Sequence, residues 1–358
     1  MKTAGRCFVA FLCSSLLLSF EGCLEIDTTT EVHHDGSLTR TVVVAGDSTS
    51  IYRGDYTITI DTSWSRSIRK VDDRKFELTA TRMFPDAEAL NTALRAKQGE
   101  ALEIQTELET SFLWFFTMYR YTETYKRYNR IDAVPYSDFF SSRELELFMR
   151  HEVEKEPFDS RGDSLALDDA SDRFEGWVKR NAFEAYYALF KKGLLAIPGT
   201  AFTPPQIDAR KDTVFALAGK YFEDSKYYEP KKIAPVEKVL ERIFGTRNAR
   251  AGLEAMQPEF AQMKRHLEFQ EEVGSNTYRV SVTMPGLVTS TNARSLEGNK
   301  ATWQDFMPYC YMHDYELQIE SRVINWWAII LTGAVIFVLA GVVFAGALRR
   351  RAPTAART

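Results

Sequence analysis

The sequence predicts an α+β protein in which both ends of an exported region build a mainly antiparallel sheet, with a large helical insertion between them. The apolar period is two in residues 24–78 and again in 278–324, which is the period of half-buried strands. Residues 129–272 instead have the spacing, prolines and glycines of successive helices. A final apolar run at 326–348 contains no charged residue, and its length predicts a C-terminal transmembrane helix.

Residues 1–22 have the three-part pattern of a signal peptide. A positively charged start precedes the apolar segment 7–20, and the small residue Gly22 precedes a cysteine. Residues 20–23, Phe-Glu-Gly-Cys, resemble a bacterial lipobox, although Glu21 stands where a small or apolar residue is usual. We therefore expect Cys23 to be the lipidated, palmitate-bearing N-terminus of a lipoprotein. Ordinary signal cleavage and an uncleaved anchor are the alternatives.

The predicted transmembrane helix, residues 326–348, would extend about 34 Å at about 1.5 Å per residue, enough to cross about 30 Å of hydrocarbon. Trp326 and Trp327 stand at its start, where indole rings favour the headgroup region, and three arginines at 349–351 mark the cytoplasmic side. The sequence thus predicts a single-pass protein of the bacterial cell membrane. The bulk of the chain is expected on the periplasmic side, and residues 349–358 form a cytoplasmic tail.

Charge and cysteine content limit the partners of the exported part. The whole chain has a formal net charge of −4, of which the signal segment contributes +1 and the tail +4, leaving −9 for residues 23–348. This charge disfavours nucleic acid and anionic headgroups as general partners. Cys7 and Cys13 leave with the signal and Cys23 is expected to be acylated, so Cys310 has no partner for an intramolecular disulfide.

The N-terminal β-rich part is predicted at residues 23–128. Asp35-Gly36 is a hairpin turn between two alternating segments, and Asp86 is the expected N-cap of a helix at 85–97. The predicted strands are 24–32, 38–44, 56–60, 75–82 and one long strand at 102–120, for whose latter half a helix is the alternative.

The helical insertion is predicted at residues 129–272. Gly193 and Gly245 suit helix C-terminal caps, and Pro258 is expected to kink or split the last helix. The predicted helices are 137–156, 169–192, 206–225, 235–244 and 249–272.

The C-terminal β part, residues 273–325, is expected to complete the sheet with strands at 278–283, 287–290, 301–306 and 315–324. Its segment 284–292, Met-Pro-Gly-Leu-Val-Thr-Ser-Thr-Asn, is followed by Gly298-Asn299 and Trp303. These residues, with the opening Gly-Cys-Leu and the first hairpin, resemble the β ends of LppM-like bacterial envelope lipoproteins. The resemblance covers residues 23–82 and 278–325 only. It implies a secreted or anchored α+β domain and supplies no catalytic positions. Joining both β ends is expected to bring Cys23 and Trp326 to one side of the domain, so that lipid and helix enter one membrane.

Candidate metal sites in the sequence lack the geometry that a metal requires. His33 and His34 are successive strand residues, whose side chains point to opposite faces. Lys155 stands where the helical zinc-protease motif that begins at His151 needs its second histidine. Four aspartates within residues 163–172 lack the order of an EF-hand loop. We predict no metal site and no cofactor.

Cys310 and His313 are spaced for a nucleophile and its base, but no third group completes them, and an inert thiol is the preferred interpretation. We predict no catalytic residue. The remaining signal is a dense aromatic run at 112–128, from which Trp114, Phe116 and Tyr119 are candidate ligand-binding residues for an apolar groove. The preferred interpretation is that one face of this run fills the core, with the tyrosines at its rim, and the groove is the alternative.

The sequence therefore favours a non-enzymatic envelope lipoprotein that binds a protein partner or an apolar or lipid ligand. The alternative is an envelope enzyme with an unrecognised carboxylate-based site.

Overall fold

The computed structural model describes residues 24–54, 56–95, 101–141, 143–145, 161–222 and 234–351. It confirms an α+β fold with a long apolar C-terminal helix. The strands are β1 Glu25–Val32, β2 Leu38–Gly46, β3 Ser65–Lys70, β4 Phe76–Phe84, β5 Ile104–Leu113, β6 Phe116–Tyr125, β7 Thr277–Thr283, β8 Leu287–Thr291, β9 Ser295–Glu297, β10 Lys300–Gln304 and β11 Tyr315–Ile324. The helices are α1 Ser48–Arg53, α2 Ala87–Leu94, α3 Arg161–Ala196, α4 Pro204–Asp208, α5 Lys211–Phe222, α6 Ala234–Phe244, α7 Thr246–Glu254, α8 Gln257–Ser275, α9 Met307–Cys310 and α10 Trp326–Arg351.

The strands form two sheets, where the sequence had suggested one. The larger sheet has the order β3-β4-β2-β1-β7-β10-β9 and the smaller has the order β5-β6-β11-β8. Each sheet combines strands that precede the helices with strands that follow them. The prediction that both β parts of the chain pair in a sheet is therefore confirmed for each of the two sheets. The central pair β1 and β7 is parallel, as a connection through helices allows.

A tight turn separates β5 from β6, where one long strand was expected. Trp114 adopts a left-handed φ of 27° between Leu113 and Phe116, and the two strands then pair along their whole length. This turn could not be recognised from the sequence because it is built from apolar and aromatic residues, without the glycine or asparagine that usually marks a turn.

Two further differences concern short segments. Residues 56–60 form no strand; they are a buried connection in which the carbonyl of Thr57 accepts a hydrogen bond from Leu102 N (2.7 Å). Strand β3 was not predicted, because its residues are exposed on both faces and therefore show no alternation. The predicted helix cap at Asp86 is confirmed, since its side chain accepts a hydrogen bond from Ala89 N.

The two sheets enclose one hydrophobic core. Residues from both contribute to it, including Ile26 and Val42 from the larger sheet and Tyr121 and Ile319 from the smaller. Trp303 is also buried there, and its indole N–H donates to Asn292 Oδ1 at 3.0 Å.

The helices form a core of their own, built around Phe190, Leu194 and Leu240. Helix α3 begins earlier than predicted, and the predicted helix 206–225 is divided between α4 and α5. The predicted split of the last helix near Pro258 is confirmed, because α8 begins at Gln257. The predicted helix 137–156 lies largely outside the described residues. The division of the chain into domains, with a helical insertion at residues 129–272, stays a prediction.

Gly193 does not cap a helix, as the sequence had suggested, but lies within α3 where α7 crosses it closely. A Cβ on Gly193 would overlap the carbonyl oxygen of Gly252 and lie 2.9 Å from Met256 Cγ. We expect Gly193→Ala to destabilise the protein by about 1–3 kcal/mol. Gly219→Ala in α5 is the matched control, since nothing lies within 4 Å of its Cβ position and alanine favours a helix. Urea unfolding of the full chain in detergent, followed by circular dichroism, measures both. Equal stability of the two variants would contradict the close approach.

Candidate functional site

Helix α10 is the candidate membrane span of the described residues. Its segment Trp326–Ala345 is long and apolar enough to cross a bilayer, and very little of it is buried against the protein. Large apolar side chains such as Ile336 and Phe337 are exposed all along it. A helix that is apolar on every side and uncovered by protein fits a lipid environment.

The β5–β6 turn contacts the start of α10 through hydrogen bonds. Asn325, the residue before the helix, donates from its backbone N to the carbonyl of Phe115 (2.9 Å) and from its side chain to the carbonyl of Trp114 (3.1 Å). Its Oδ1 accepts a hydrogen bond from Thr117 Oγ1 at 3.1 Å. Further along the helix, Trp114 Nε1 donates to Thr332 Oγ1 at 2.9 Å. The turn is thereby tied to both the start and the second turn of α10.

Aromatic rings pack along the same contact. The Phe112 ring stacks on Trp327 with centroids 6.1 Å apart, and Trp114 meets Trp327 edge-on at 5.6 Å. We call Phe112, Trp114, Phe115, Trp326 and Trp327 the aromatic rim. All five remain between 40% and 65% exposed despite these contacts. The rim is therefore an apolar surface continuous with the exposed helix.

The strand register places this rim at one end of the β layers. Phe116, which opens β6, pairs with Ile324, the last residue of β11. Leu287, which opens β8, pairs with Arg322 near the same end of β11. Gly286, just before β8, has a φ of +77° and lies against the Arg322 carbonyl so closely that a Cβ would overlap it. The link from β7 to β8 is thus fixed beside the rim.

The three candidate ligand-binding residues do not lie together. Trp114 belongs to the rim, and Phe116 is half-buried beneath the Arg322 guanidinium, 5.5 Å from the ring centroid. Tyr119 is buried in the core, and its hydroxyl donates to the His34 carbonyl at 2.7 Å. Burial and the nearby charge of Asp35 raise the pKa of Tyr119. A ligand-binding role for these residues stays a prediction, but they line no common groove.

Cys23 lies outside the described residues, but its neighbour Leu24 is fixed in the fold. The backbone N of Leu24 donates to Asn276 Oδ1 and its carbonyl accepts from Thr277 N, both at 2.9 Å. Its side chain is buried. Leu24 is therefore held at the start of a strand that is paired on both sides.

The expectation that Cys23 and Trp326 lie on the same side of the domain concerns a residue outside the described part of the chain, but the neighbouring Leu24 lies at the end of the β layers opposite the rim. The parallel pairing aligns the end of β1 with the end of β7, and only residues 284–286 separate β7 from the rim-side start of β8. The start of β1 therefore lies at the opposite end, one strand length away. Eight residues at about 3.3 Å each give a separation of about 25 Å.

The helices join the β layers at this far end too. The chain leaves β6 at Tyr125, which pairs with Tyr315 at the start of β11, and returns from α8 directly into the start of β7. The helical part consequently attaches about one strand length from the rim, on the side of the β layers that is remote from α10.

A polar cleft of about 610 Å³ lies near the rim end of the larger sheet, between the β1–β2 turn and the β7–β8 link. His33 Nε2 is 2.8 Å from Thr39 Oγ1, and Asp35 Oδ1 accepts hydrogen bonds from Ser37 N (3.0 Å) and Ser37 Oγ (2.7 Å). The bonds from Ser37 lower the pKa of Asp35. These side chains stabilise the turn, and no metal-binding group of three is found within the described ranges.

A buried ion pair joins the two sheets. The Arg40 guanidinium, on β2, binds the Glu123 carboxylate, on β6, at 2.7 Å and 3.0 Å, and both side chains are fully buried. The Tyr121 hydroxyl also donates to Glu123. Burial by itself raises the pKa of Glu123, but the charge of Arg40 and the hydrogen bonds outweigh it and hold the pKa below its usual value. The pair is enclosed by the core and has no open face for a substrate.

Cys310 and His313 lie in different surroundings. Cys310 is buried, its Sγ lies 3.7 Å from the Phe306 carbonyl, and burial raises the pKa of its thiol. The His313 ring packs against Tyr136 and Tyr309 at 5.3 and 5.6 Å, and burial lowers its pKa. The thiolate, which is the reactive form, is therefore scarce at neutral pH.

We expect Cys310 to resist maleimide in the folded protein at neutral pH and to react completely in urea. Mass spectrometry of the intact chain counts the added groups. Rapid modification without urea would show an accessible thiolate and would contradict the structural role.

The other motifs are partly outside the described residues. His151, with the start of its zinc-protease-like pattern, lies outside them, and nothing is described of the side chains of Asp163 and Asp168. Asp169 forms an ion pair with Arg173 at 2.9 Å on the surface of α3, which is an ordinary helix contact at i,i+4 spacing.

No protein-family model matches the chain, and no curated protein matches it. Among solved structures, the chain is weakly similar to the folded domain of LppM from Mycobacterium tuberculosis, determined by NMR. The sequence identity is 8%, the match covers 86% of this chain and 95% of that domain, and the TM-score is 0.29. A similarity of this strength carries no argument about function, so the proposals below rest on the geometry.

Proposed function

We propose that the chain is a membrane-anchored, extracytoplasmic bacterial envelope protein that is non-enzymatic and binds a protein partner through its helical part. The observation that carries this proposal is the fixed contact between α10 and the β5–β6 turn. Because hydrogen bonds and ring contacts tie the turn to the helix at two levels, the β layers hold a defined orientation on the membrane. The helical part, attached at the opposite end, is then held away from the bilayer.

The side of the membrane follows from charge. The arginines at 349–351 stand at the C-terminal end of the apolar helix and two tryptophans at its N-terminal end, which favours a cytoplasmic C-terminus. The folded part would then lie outside the cytoplasm, where a lipid on Cys23 is also attached. Leu24 lies about one strand length from the rim, so a lipid attached next to it would not enter the bilayer beside α10 while the rim faces that bilayer.

Sidedness is tested with two single cysteines in the full chain. Thr246→Cys lies on exposed α7, and Ala355→Cys lies in the tail. A membrane-impermeant maleimide applied to spheroplasts should label Thr246→Cys at once and Ala355→Cys only after lysis. The reverse pattern would contradict the proposed topology. The wild-type chain, which retains Cys310, is the control for any reaction of that thiol.

Partner binding is tested by photocrosslinking in living cells. A photoreactive amino acid at exposed Arg247, on α7, should give a discrete adduct that is absent when it replaces exposed Ser67, on β3. Purifying that partner and reproducing its binding to the full chain in nanodiscs would support the proposal. The same adduct from both positions, or no adduct from position 247, would contradict it.

A further inference from the structure

We propose that the aromatic rim inserts into the outer headgroup region of the bilayer that α10 crosses, so that the β5–β6 turn is a second membrane-contacting element. The ligand of this surface is glycerophospholipid. This inference rests on the proposed function in one respect, that α10 spans a membrane. It adds a surface outside the helix that contacts lipid directly.

The depth of the turn follows from one hydrogen bond. Trp114 Nε1 binds Thr332 Oγ1 at 2.9 Å, and Thr332 lies six residues beyond Trp326, or about 9 Å along the helix axis. Any bilayer position that covers the apolar side chains from Ile329 onward must therefore also receive the Trp114 indole. If α10 is in the membrane, the tip of the turn is carried in beside it.

The composition of the turn suits that depth. Residues 112–117 are Phe-Leu-Trp-Phe-Phe-Thr and contain no charge, while Leu113 at the tip is 57% exposed. A folded protein in water rarely leaves such a contiguous aromatic surface uncovered. Tryptophan rings with an apolar body and one N–H donor favour the membrane interface.

Charged groups begin where the rim ends. Arg322 is exposed at the rim end of β11, with its guanidinium over the half-buried Phe116 ring. The next charged cluster, Arg120 with Glu320 and Glu109, lies further up the sheet. Arg322 is therefore placed at the level of lipid phosphates, which its guanidinium can bind by charge-assisted hydrogen bonds.

The bilayer is favoured over a second copy of the chain as the occupant of the rim because the rim is continuous with α10. Both surfaces meet at Trp327, which contacts Phe112 and Trp114. A protein covering the rim would have to displace lipid from the first turns of the helix as well. That outcome is nevertheless distinguishable by experiment.

The test uses spin labels on single cysteines of the full chain, in a Cys310→Ser background, reconstituted in vesicles of phosphatidylethanolamine and phosphatidylglycerol. Leu113→Cys reports the rim. Val71→Cys, an exposed apolar position at the β3–β4 turn, is the matched control, and Ile336→Cys reports α10. Collision rates with oxygen and with a water-soluble nickel complex are measured for each label.

We expect the ratio of oxygen to nickel collisions to be severalfold higher at Leu113 than at Val71 and closer to that at Ile336. A Leu113 label that behaves like the Val71 label, while Ile336 is in lipid, would overturn the inference and leave the membrane span intact. A Leu113 label shielded from both reagents would also overturn it, since protein would then cover the rim. An Ile336 label in water would instead refute the membrane anchor of the proposed function.

Discussion

Arg40→Met should lower the free energy of unfolding by about 3–5 kcal/mol, because it leaves the Glu123 carboxylate buried without its cation. The guanidinium supplies two hydrogen bonds to this carboxylate, and no solvent reaches either side chain. The pair also links β2 to β6, so its loss weakens the contact between the two sheets. Urea unfolding of the full chain in detergent, followed by tryptophan fluorescence, measures the change.

Two further variants define the origin of this loss. The double variant Arg40→Met/Glu123→Leu removes both charges and should recover much of the lost stability, since no buried charge is left unpaired. Arg69→Ala breaks an exposed ion pair with Glu77 on the edge of the larger sheet and should change stability little. If Arg40→Met is no more harmful than Arg69→Ala, the buried pair has no structural importance.

The same pair predicts how stability depends on pH. The pKa of Glu123 in the folded protein lies below its usual value of 4.5. A carboxylate with a depressed folded pKa contributes stability above its unfolded pKa and loses that contribution as pH falls through the folded value. The stability difference between the wild-type chain and Arg40→Met/Glu123→Leu should therefore shift in favour of the double variant below about pH 4.5. A difference that is independent of pH would show that Glu123 does not titrate in this range.

The second large effect concerns membrane retention by two independent anchors. Ending the chain after Asn325 removes α10, and Cys23→Ser removes the lipidation site. We expect each single variant to stay in the membrane fraction and the combined variant to be released, because α10 spans the bilayer without the lipid and a chain without α10 is free to turn a lipidated N-terminus towards the membrane. Carbonate extraction followed by immunoblotting measures retention.

Mass spectrometry of the N-terminal peptide provides the control for acylation. If the chain that ends after Asn325 carries no acyl group and is released, α10 is the membrane anchor and the lipid is removed from this account. If Cys23→Ser with α10 intact is released, the membrane span itself is refuted.

The sequence predicted the elements whose signal is local. Asp35-Gly36 marked the first hairpin, Asp86 the cap of α2, and the uncharged run from Trp326 marked α10, and the structure contains all three. The prediction that the N-terminal and C-terminal β parts pair with each other is also confirmed. Alternation, caps and breaks are properties of neighbouring residues, so they can be recognised without knowing the fold.

What the sequence did not predict depends on contacts between distant residues. The division of the predicted long strand into β5 and β6 follows from an aromatic turn at Trp114, which is hydrogen-bonded to residues more than 200 positions away. Gly193 looked like a cap because glycine often ends a helix. Its real role is a close contact with Gly252, which belongs to another helix. Neither contact leaves a local pattern.

The same reasoning applies to the candidate site. The aromatic run was noticed, but alternation alone could not divide it between the core, where Tyr119 lies, and the rim, where Trp114 lies. The hydrogen bonds of Asn325 and Thr332 with Trp114 were not predicted, since each of these residues is a single polar residue beside or within an apolar run. The separation of Leu24 from the rim depends on the direction of β1 relative to β7, which strand periodicity does not contain.

Energy transfer to the bilayer surface measures the orientation of the β layers on the membrane. Donor dyes are placed on two exposed positions of the larger sheet, Met83→Cys at the rim end of β4 and Glu25→Cys at the far end of β1. The full chain is reconstituted with headgroup-labelled acceptor lipid. We expect markedly stronger transfer from Met83 than from Glu25, since about one strand length separates them. Equal transfer from both positions, or stronger transfer from Glu25, would contradict this orientation.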